Sequence, residues 1–414
     1  EVRGIFDKWE LDAIQIGTVT GDGMLRVRNH GQVVAEVPVH ALADEAPVYE
    51  KPTARPAWQD ELEAFDPLSL PAPPDLGAAL VSLLGSPGVA SKEWVYRQYD
   101  QQVGTNSLVL PGSDAGVLRI KGTRRAIALT TDCNSRFVYL DPRRGAAMAV
   151  AEAARNVSVS GGRPIGLTDC LNFGSPERPE ILWQFSEAVA GIGEACRALE
   201  IPVVGGNVSF YNETLGKAIL PTPVIGMAGL LDDAERRCTQ WFAVPGDRLA
   251  LLGPEAVSLG GSEYLWVMHR MVAGRLAPLD LGVERAVQEA CRAAIRAGVL
   301  RSAHDAAEGG LAVALAEACV SGPRPVGVEV EIQPGAPLPL LLFGEGPSRI
   351  AVSVPADAEQ RFERLLGELA VPWRWIGRVG GERLVIRTGG ASVVDLAVDR
   401  CTKAWRSGFE RYVG

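Results

Sequence analysis

Histidine is scarce in these 414 residues: four in all, and His30, His40 and His269 have no partner at a catalytic or metal-ligand spacing. The seven cysteines form no Cys-x-x-Cys pair and are odd in number. That argues against a zinc site or a disulfide framework and for reduced thiols in a cytoplasmic protein. No apolar run reaches the roughly 20 residues that a membrane-crossing helix needs, and no signal peptide is expected. The net charge of −9 and the pI near 5.2 argue against a nucleic-acid or anionic-membrane surface, though not against a local basic pocket. Glu1 rather than Met opens the chain, which leaves open whether it is a fragment.

The composition is that of a globular protein, 47% apolar and 22% charged, and the length suits two or more domains. An internal repeat organises the ends. Ala13–Val19 alternates like a strand, Thr20-Gly21-Asp22-Gly23 is turn chemistry, and Met24–Arg28 and Gln32–Val37 read as further strands. Trp375-Ile376-Gly377-Arg378-Val379, Leu384–Arg387 and Gly390–Val398 repeat that pattern near the C-terminus. The second copy follows a whole domain, so the first reads as the tail of a domain whose body is absent. Seven prolines between Pro52 and Pro87 give a linker composition, interrupted by a helix candidate over Leu76–Leu84. The expected domains are 1–50, 51–90 (linker), 91–232 and 233–414.

Residues 128–231 carry most of the information. Ala128–Asp132 is a strand, Gly145–Asn156 a helix of small residues, and Pro179–Leu199 a long helix. Pro164–Asp169 and Ile201–Val204 read as strands with polar exits, placing Asp169, Gly206, Asn207 and Ser209 beyond strand carboxyl ends, where open α/β sheets collect ligands. Gly205-Gly206 would let a backbone approach phosphate, Asn207 offers a hard amide oxygen for a cation, and Ser209 a hydroxyl. Glycine pairs are equally ordinary turn markers, and Asp169 equally reads as a capped turn.

Three motifs occur in order: Thr130-Thr131-Asp132-Cys133-Asn134-Ser135-Arg136, Thr168-Asp169-Cys170-Leu171-Asn172-Phe173-Gly174, and Gly205-Gly206-Asn207-Val208-Ser209-Phe210-Tyr211-Asn212-Glu213. Together they resemble phosphoribosylformylglycinamidine synthase, the synthetase subunit of purine biosynthesis, and more widely the aminoimidazole-ribonucleotide-synthetase-like superfamily. The resemblance runs from Trp9 to about Phe409 and takes in roughly the C-terminal two-thirds of that enzyme. It implies an α/β (α+β) protein of PurM-like paired domains, a duplicated architecture with the first copy truncated. It implies ATP and Mg²⁺ as cofactors and ATP-dependent amidation of formylglycinamide ribonucleotide. The implied partners are a glutaminase subunit that supplies ammonia, a small accessory subunit and the missing N-terminal half of the same enzyme.

By the same resemblance Asp169 and Gly206 bind nucleotide, Asn207 binds the metal and Ser209 binds substrate. Asn134 stands where the first half of such enzymes has an acid–base histidine, and Asn156 where a metal-binding Asp is expected. An amide carries no proton at neutral pH, so no catalytic residue is assigned in this half, which reads as a degenerate copy that holds a structural nucleotide or walls the real site. Cys133 and Cys170 have no Cys–His–Asn constellation, so glutamine hydrolysis belongs elsewhere. Asp305-x-x-Glu308-Gly309-Gly310-Leu311 resembles the nucleotide-edge motif of that wider superfamily, but Asp305 with Glu308 also has the spacing of a helix cap, which is the reading preferred, and His304 reads as a packed or half-exposed side chain rather than a catalyst. A non-catalytic nucleotide-binding scaffold, a stand-alone synthetase or kinase of the superfamily, and an interaction module remain as alternatives.

Overall fold

The computed structural model describes residues 1–413. Two compact units form, Glu1–Pro52 and Thr53–Gly414. In the smaller, β1 (Met24–Asn29) and β2 (Gln32–Pro38) make an antiparallel hairpin whose turn residues His30 and Gly31 both have positive φ. A tight turn of that hand matches the twist of its strands. The expected strand over 13–19 does not form. Ile16 and Val19 are each 98% exposed, and the segment has no ladder partner among the described residues. Alternation marks a segment suited to a sheet, but a strand exists only where a neighbour takes its backbone groups.

The larger unit holds two sheets. The first contains β3 (Ser107–Val109), β4 (Gly116–Arg119), β5 (Ala126–Asp132), β6 (Arg163–Asn172) and β7 (Val203–Ser209). After the small ribbon β8 (Glu213–Thr214) and β9 (Lys217–Ala218), β10 (Thr222–Leu231) completes it. The order is β3-β4-β5-β10-β6-β7, and β6–β7 is its parallel pair. The longer helices of the unit are α1 (Leu76–Leu84), α2 (Pro142–Val159), α3 (Pro179–Leu199), α4 (Leu281–Arg296), α5 (Gly310–Val320), α6 (Glu359–Leu369) and α7 (Val398–Gly408). α3 makes the crossover that a parallel pair requires. Asp141 caps α2, accepting from the Arg144 amide at 2.9 Å, with Pro142 in the first turn. Alanines along α2 and Gly191 on α3 let the helices touch closely: a Cβ at Gly191 would collide with the Arg143 carbonyl. Both helices pack on the face of the sheet that bears Leu167, Leu171, Ile225 and Met227.

The second sheet contains β11 (Arg248–Leu252), β12 (Ser302–Asp305), β13 (Val328–Ile332), β14 (Ile350–Val354), β15 (Trp373–Val379), β16 (Arg383–Thr388) and β17 (Ala391–Ala397). Its order is β12-β14-β11-β15-β13-β16-β17. The β16–β17 hairpin reproduces β1–β2 closely. Its turn residues Gly389 and Gly390 have positive φ, its ladder slips between Ile386 and Arg387 as the first does between Val27 and Arg28, and a helix follows each at once. The counterpart of 13–19 is β15, which forms because β11 and β13 flank it.

The proline-rich stretch is packed. α1 lies where its pattern places it, capped by Asp75, with Leu80, Leu83 and Leu84 fully buried in the core shared with α5 and α7. Beyond it, residues 91–100 carry one short helix, Glu93–Tyr96. No helix among the described residues is long and apolar enough to cross a membrane.

Candidate functional site

One register row crosses the first sheet. Asp132 on β5 faces Ile225 on β10, Ile225 faces Asp169 on β6, and Asp169 faces Gly206 on β7. Ile225 is buried against the helices, so side chains in this row point to the helix-covered face. Asp169 and Gly206 are in contact: a Cβ at Gly206 would collide with Asp169 Oδ1, so glycine here makes room for the carboxylate. Partial burial raises the Asp169 pKa above its ordinary value.

The expected strand exits are corrected by this arrangement. Asp169, Gly206, Asn207 and Ser209 lie inside β6 and β7. Their polar and glycine-rich sequence reads as a turn, but β7 is an edge strand, exposed through Val208, and an edge asks little hydrophobicity of its residues. Alternation then divides the four. Asp169 and Gly206 take the helix-covered face, and Asn207 and Ser209 take the other, beside Cys170 and Asn172. The Ser209 hydroxyl accepts from Asn212 Nδ2 at 3.1 Å.

At the other end of the row lies a cavity of about 830 Å³ between the two sheet domains. Asp132, Glu152, Asn156, Asp305, Glu308 and Lys92 are among its walls. Neither Asp169 nor any of the β7 residues lines it. Asn156 donates to Asp132 Oδ2 at 3.0 Å, and Asn134 Nδ2 to Glu308 Oε1 at 3.3 Å. Asn134 also caps the helix Ser135–Leu140, accepting from the Phe137 amide at 3.3 Å. Asp132 therefore meets Asn156, whereas Asn134 meets Glu308.

The cap reading of Asp305 is overturned. Gly309 is the residue before α5, with no side-chain cap, and Asp305 ends β12 with 3% exposure. Its Oδ1 accepts from Arg155 Nε at 2.5 Å, a partner 150 positions away that local spacing cannot reveal. His304 is likewise more than a packed side chain: Nδ1 meets Asp114 at 2.9 Å and Nε2 meets Glu317 at 3.4 Å. Burial opposes its charge, but those two carboxylates outweigh burial and hold its pKa well above the ordinary histidine value. A histidine held protonated cannot serve as a base at neutral pH.

Burial, then repulsion from Glu308 and Asp305, pushes Asp132 well above the ordinary carboxylate range; burial, then repulsion from Asp132, Glu308 and Asp305, does the same to Glu152, and burial also raises Glu308. Asp305 is pushed up to about 6 by burial, with Arg155 pulling the other way. Crowded carboxyls of this kind favour a proton or a cation. Asp305 Oδ2 is buried without a hydrogen-bond partner. Among the described residues no three His, Cys, Asp or Glu side chains converge on a ready-made metal cage. A hard cation such as Mg²⁺ is commonly held by one or two carboxylates and completed by phosphates and water, so it does not require such a cage. Lys92, its pKa lowered by burial, lies on the same wall. Glu152, Arg155 and Lys92 escape a motif reading. The available signal is that Glu152, Arg155 and Asn156 interrupt an otherwise alanine-rich helix.

The N-terminal-domain pattern of AIR synthase related proteins matches residues 112–231, and the C-terminal-domain pattern matches residues 244–389. The chain belongs to the AIR synthase related family. Within this family, it is 51% identical over 405 residues to phosphoribosylformylglycinamidine synthase subunit PurL of Moorella thermoacetica. The match takes in 98% of the chain and 55% of that protein, nearer half than the two-thirds expected. The PurL subunit of Anaeromyxobacter dehalogenans is 51% identical over 421 residues, again 98% of the chain and 55% of the relative. Among solved structures, Thermotoga maritima PurL complexed with FGAR superposes with a TM-score of 0.63 at 18% identity, covering 80% of this chain and 54% of that one. The same protein complexed with ATP gives 0.55 at 22% identity, covering 87% and 49%. A third, PurLQS from Thermotoga maritima, gives 0.60 at 16%, covering 83% and 54%. These structures establish the paired-domain α/β fold of this AIR synthase relative.

Proposed function

We propose that this chain is the C-terminal part of a phosphoribosylformylglycinamidine synthase synthetase subunit. The reaction is ATP-dependent amidation of formylglycinamide ribonucleotide in purine biosynthesis, with ammonia from a separate glutaminase subunit and a small accessory subunit in the assembly. The observation that carries the reading is the 51% identity running over 98% of the chain, all three motifs included. ATP activates the amide oxygen as a phosphoryl imidate, and ammonia then displaces phosphate. Mg²⁺, when bound, neutralises charge on the transferred phosphoryl group.

The two ends of the register row take different parts. Asp169 and Gly206 present a carboxylate and an open backbone to a nucleotide on the helix-covered face, and on the opposite face Asn207 offers an amide oxygen to a cation and Ser209 a hydroxyl to substrate. This edge is a wall of the reaction site, completed by residues outside the chain. The cavity holds a structural Mg-nucleotide within the chain: its volume suits one, Lys92 meets phosphate, and Asp132, Glu152 and Asp305 meet the cation. The division into 1–50, 51–90, 91–232 and 233–414 follows the same reading.

The isolated chain makes no product on this account, since Asn134 stands in the place of the acid–base group and carries no proton, and Asn156 stands in the place of a metal-binding carboxylate. The test supplies the purified chain with Mg-ATP, formylglycinamide ribonucleotide and excess ammonium. Turnover appears only when the remaining N-terminal part of a relative's subunit is added. Product from the chain alone at about 1 s⁻¹ or faster contradicts the split-site reading. No turnover from the reconstituted pair contradicts the assigned reaction.

A further inference from the structure

Arg155 is the cation at the seam between the two sheet domains, 2% exposed and reaching three elements at once. It stands on α2. Its Nη1 donates to both oxygens of Glu284 on α4, each at 2.8 Å, and its Nε donates to Asp305 Oδ1 at the end of β12. Glu284 is fully buried and otherwise satisfied: Ser348 Oγ donates to Oε2 at 2.6 Å and Gln288 Nε2 to Oε1 at 2.8 Å. Asp305 is treated differently. One oxygen is taken by the guanidinium, and the other is buried with no partner although the residue lines the cavity. A buried acceptor without a donor costs on the order of 1–3 kcal/mol, so its retention asks for a ligand that supplies what is missing.

We propose that Arg155 is a positioning residue: it fixes Asp305 through Oδ1 and so keeps Oδ2 for a divalent cation bound in the cavity. The inference rests on the reading of the cavity as a cation–nucleotide site. The geometry needs arginine. A planar fork can span a bidentate carboxylate and a second acceptor at a set angle, and an ammonium cannot hold both. Partners that orient a metal-binding side chain change metal affinity about 10- to 100-fold when replaced.

The experiment measures Mn²⁺ uptake in the presence of ATP, by the paramagnetic resonance of free Mn²⁺, and ATP affinity in EDTA. The proteins are the 414-residue chain, Asp305→Asn, Arg155→Lys and, to keep the buried charge balanced if the lysine variant misfolds, Arg155→Met with Glu284→Gln. The expected result is Mn²⁺ uptake by the parent, its loss in Asp305→Asn, and a fall of about tenfold or more in the Arg155 variants with ATP affinity in EDTA unchanged. Asp305→Asn losing uptake while the Arg155 variants keep it overturns the positioning role alone. Equal losses with and without the cation in the Arg155 variants overturn it too, since a merely structural residue would do that. A parent that takes up no Mn²⁺, or an Asp305→Asn that takes it up normally, overturns the cavity reading beneath it.

Discussion

Asp132 and Asp169 stand in one row of one sheet with Ile225 between them, and they live in different chemical worlds. Asp132 is met by Asn156, buried, repelled by Glu308 and Asp305, and driven well above the ordinary carboxylate range. Asp169 lies half-buried on the helix-covered face against Gly206 of the edge strand and is raised only by partial burial. The fold finishes the first environment from its own two domains. It leaves the second open along β7, where the backbone and Asn207 face whatever lies beyond the chain. The comparison teaches that like residues in like register acquire a role from what closes over them.

The largest expected contrast is in stability. Asp305→Ala leaves the buried Arg155 Nε without its acceptor while Glu284 still balances the charge, and should cost about 1–3 kcal/mol in denaturant unfolding at pH 7.5. Asp169→Ala on the open pair should cost less than about 1 kcal/mol. Similar losses would erase the distinction between the two ends of the row.

Next in size is nucleotide affinity of the chain alone. Lys92→Met removes an ammonium from the cavity wall and should weaken ATP binding about tenfold by calorimetry, the scale of one charge-assisted hydrogen bond. Asn207→Ala should leave that affinity within about twofold, while lowering turnover of the reconstituted enzyme. The reverse pattern would move the chain's own nucleotide to the edge.

How far the sequence discloses this contrast depends on the range of the interaction concerned. Helices α1, α2 and α3 lie where their patterns place them, because caps and apolar periodicity act within a few residues. The twin hairpins are legible because turn chemistry is local. Ala13–Val19 has the alternation of β15 but lacks the flanking strands that make β15 real. Gly205–Ser209 reads as a loop because an edge strand can carry loop-like residues. Asp305 reads as a cap because nothing near it in sequence announces Arg155.

The third expectation concerns pH. Burial pushes Glu345 up to about 8, although its Oε1 accepts from the Glu263 and Gly309 amides, both at 2.7 Å. Between the ordinary glutamate value and about 8 the folded chain holds a proton there that the unfolded chain has lost. Stability therefore falls as pH rises through that window. Glu345→Gln should make the fall from pH 5 to 8 shallower in thermal or denaturant titrations. An unchanged slope would place the titration elsewhere. The smallest effect is expected at Asn134. Asn134→Ala loses a cap worth about 1 kcal/mol but no proton carrier, and should leave turnover of the reconstituted enzyme within a few-fold. A loss of about 10²-fold or more would make it a participant in the chemistry.

The most direct test of the central contrast is a crystal structure of this chain grown with ATP and Mg²⁺. The account predicts nucleotide density in the cavity, with the cation against Asp305 Oδ2 and phosphate near Lys92, and none along β7. Nucleotide bound at Gly206 and Asn207 with the cavity empty would contradict it.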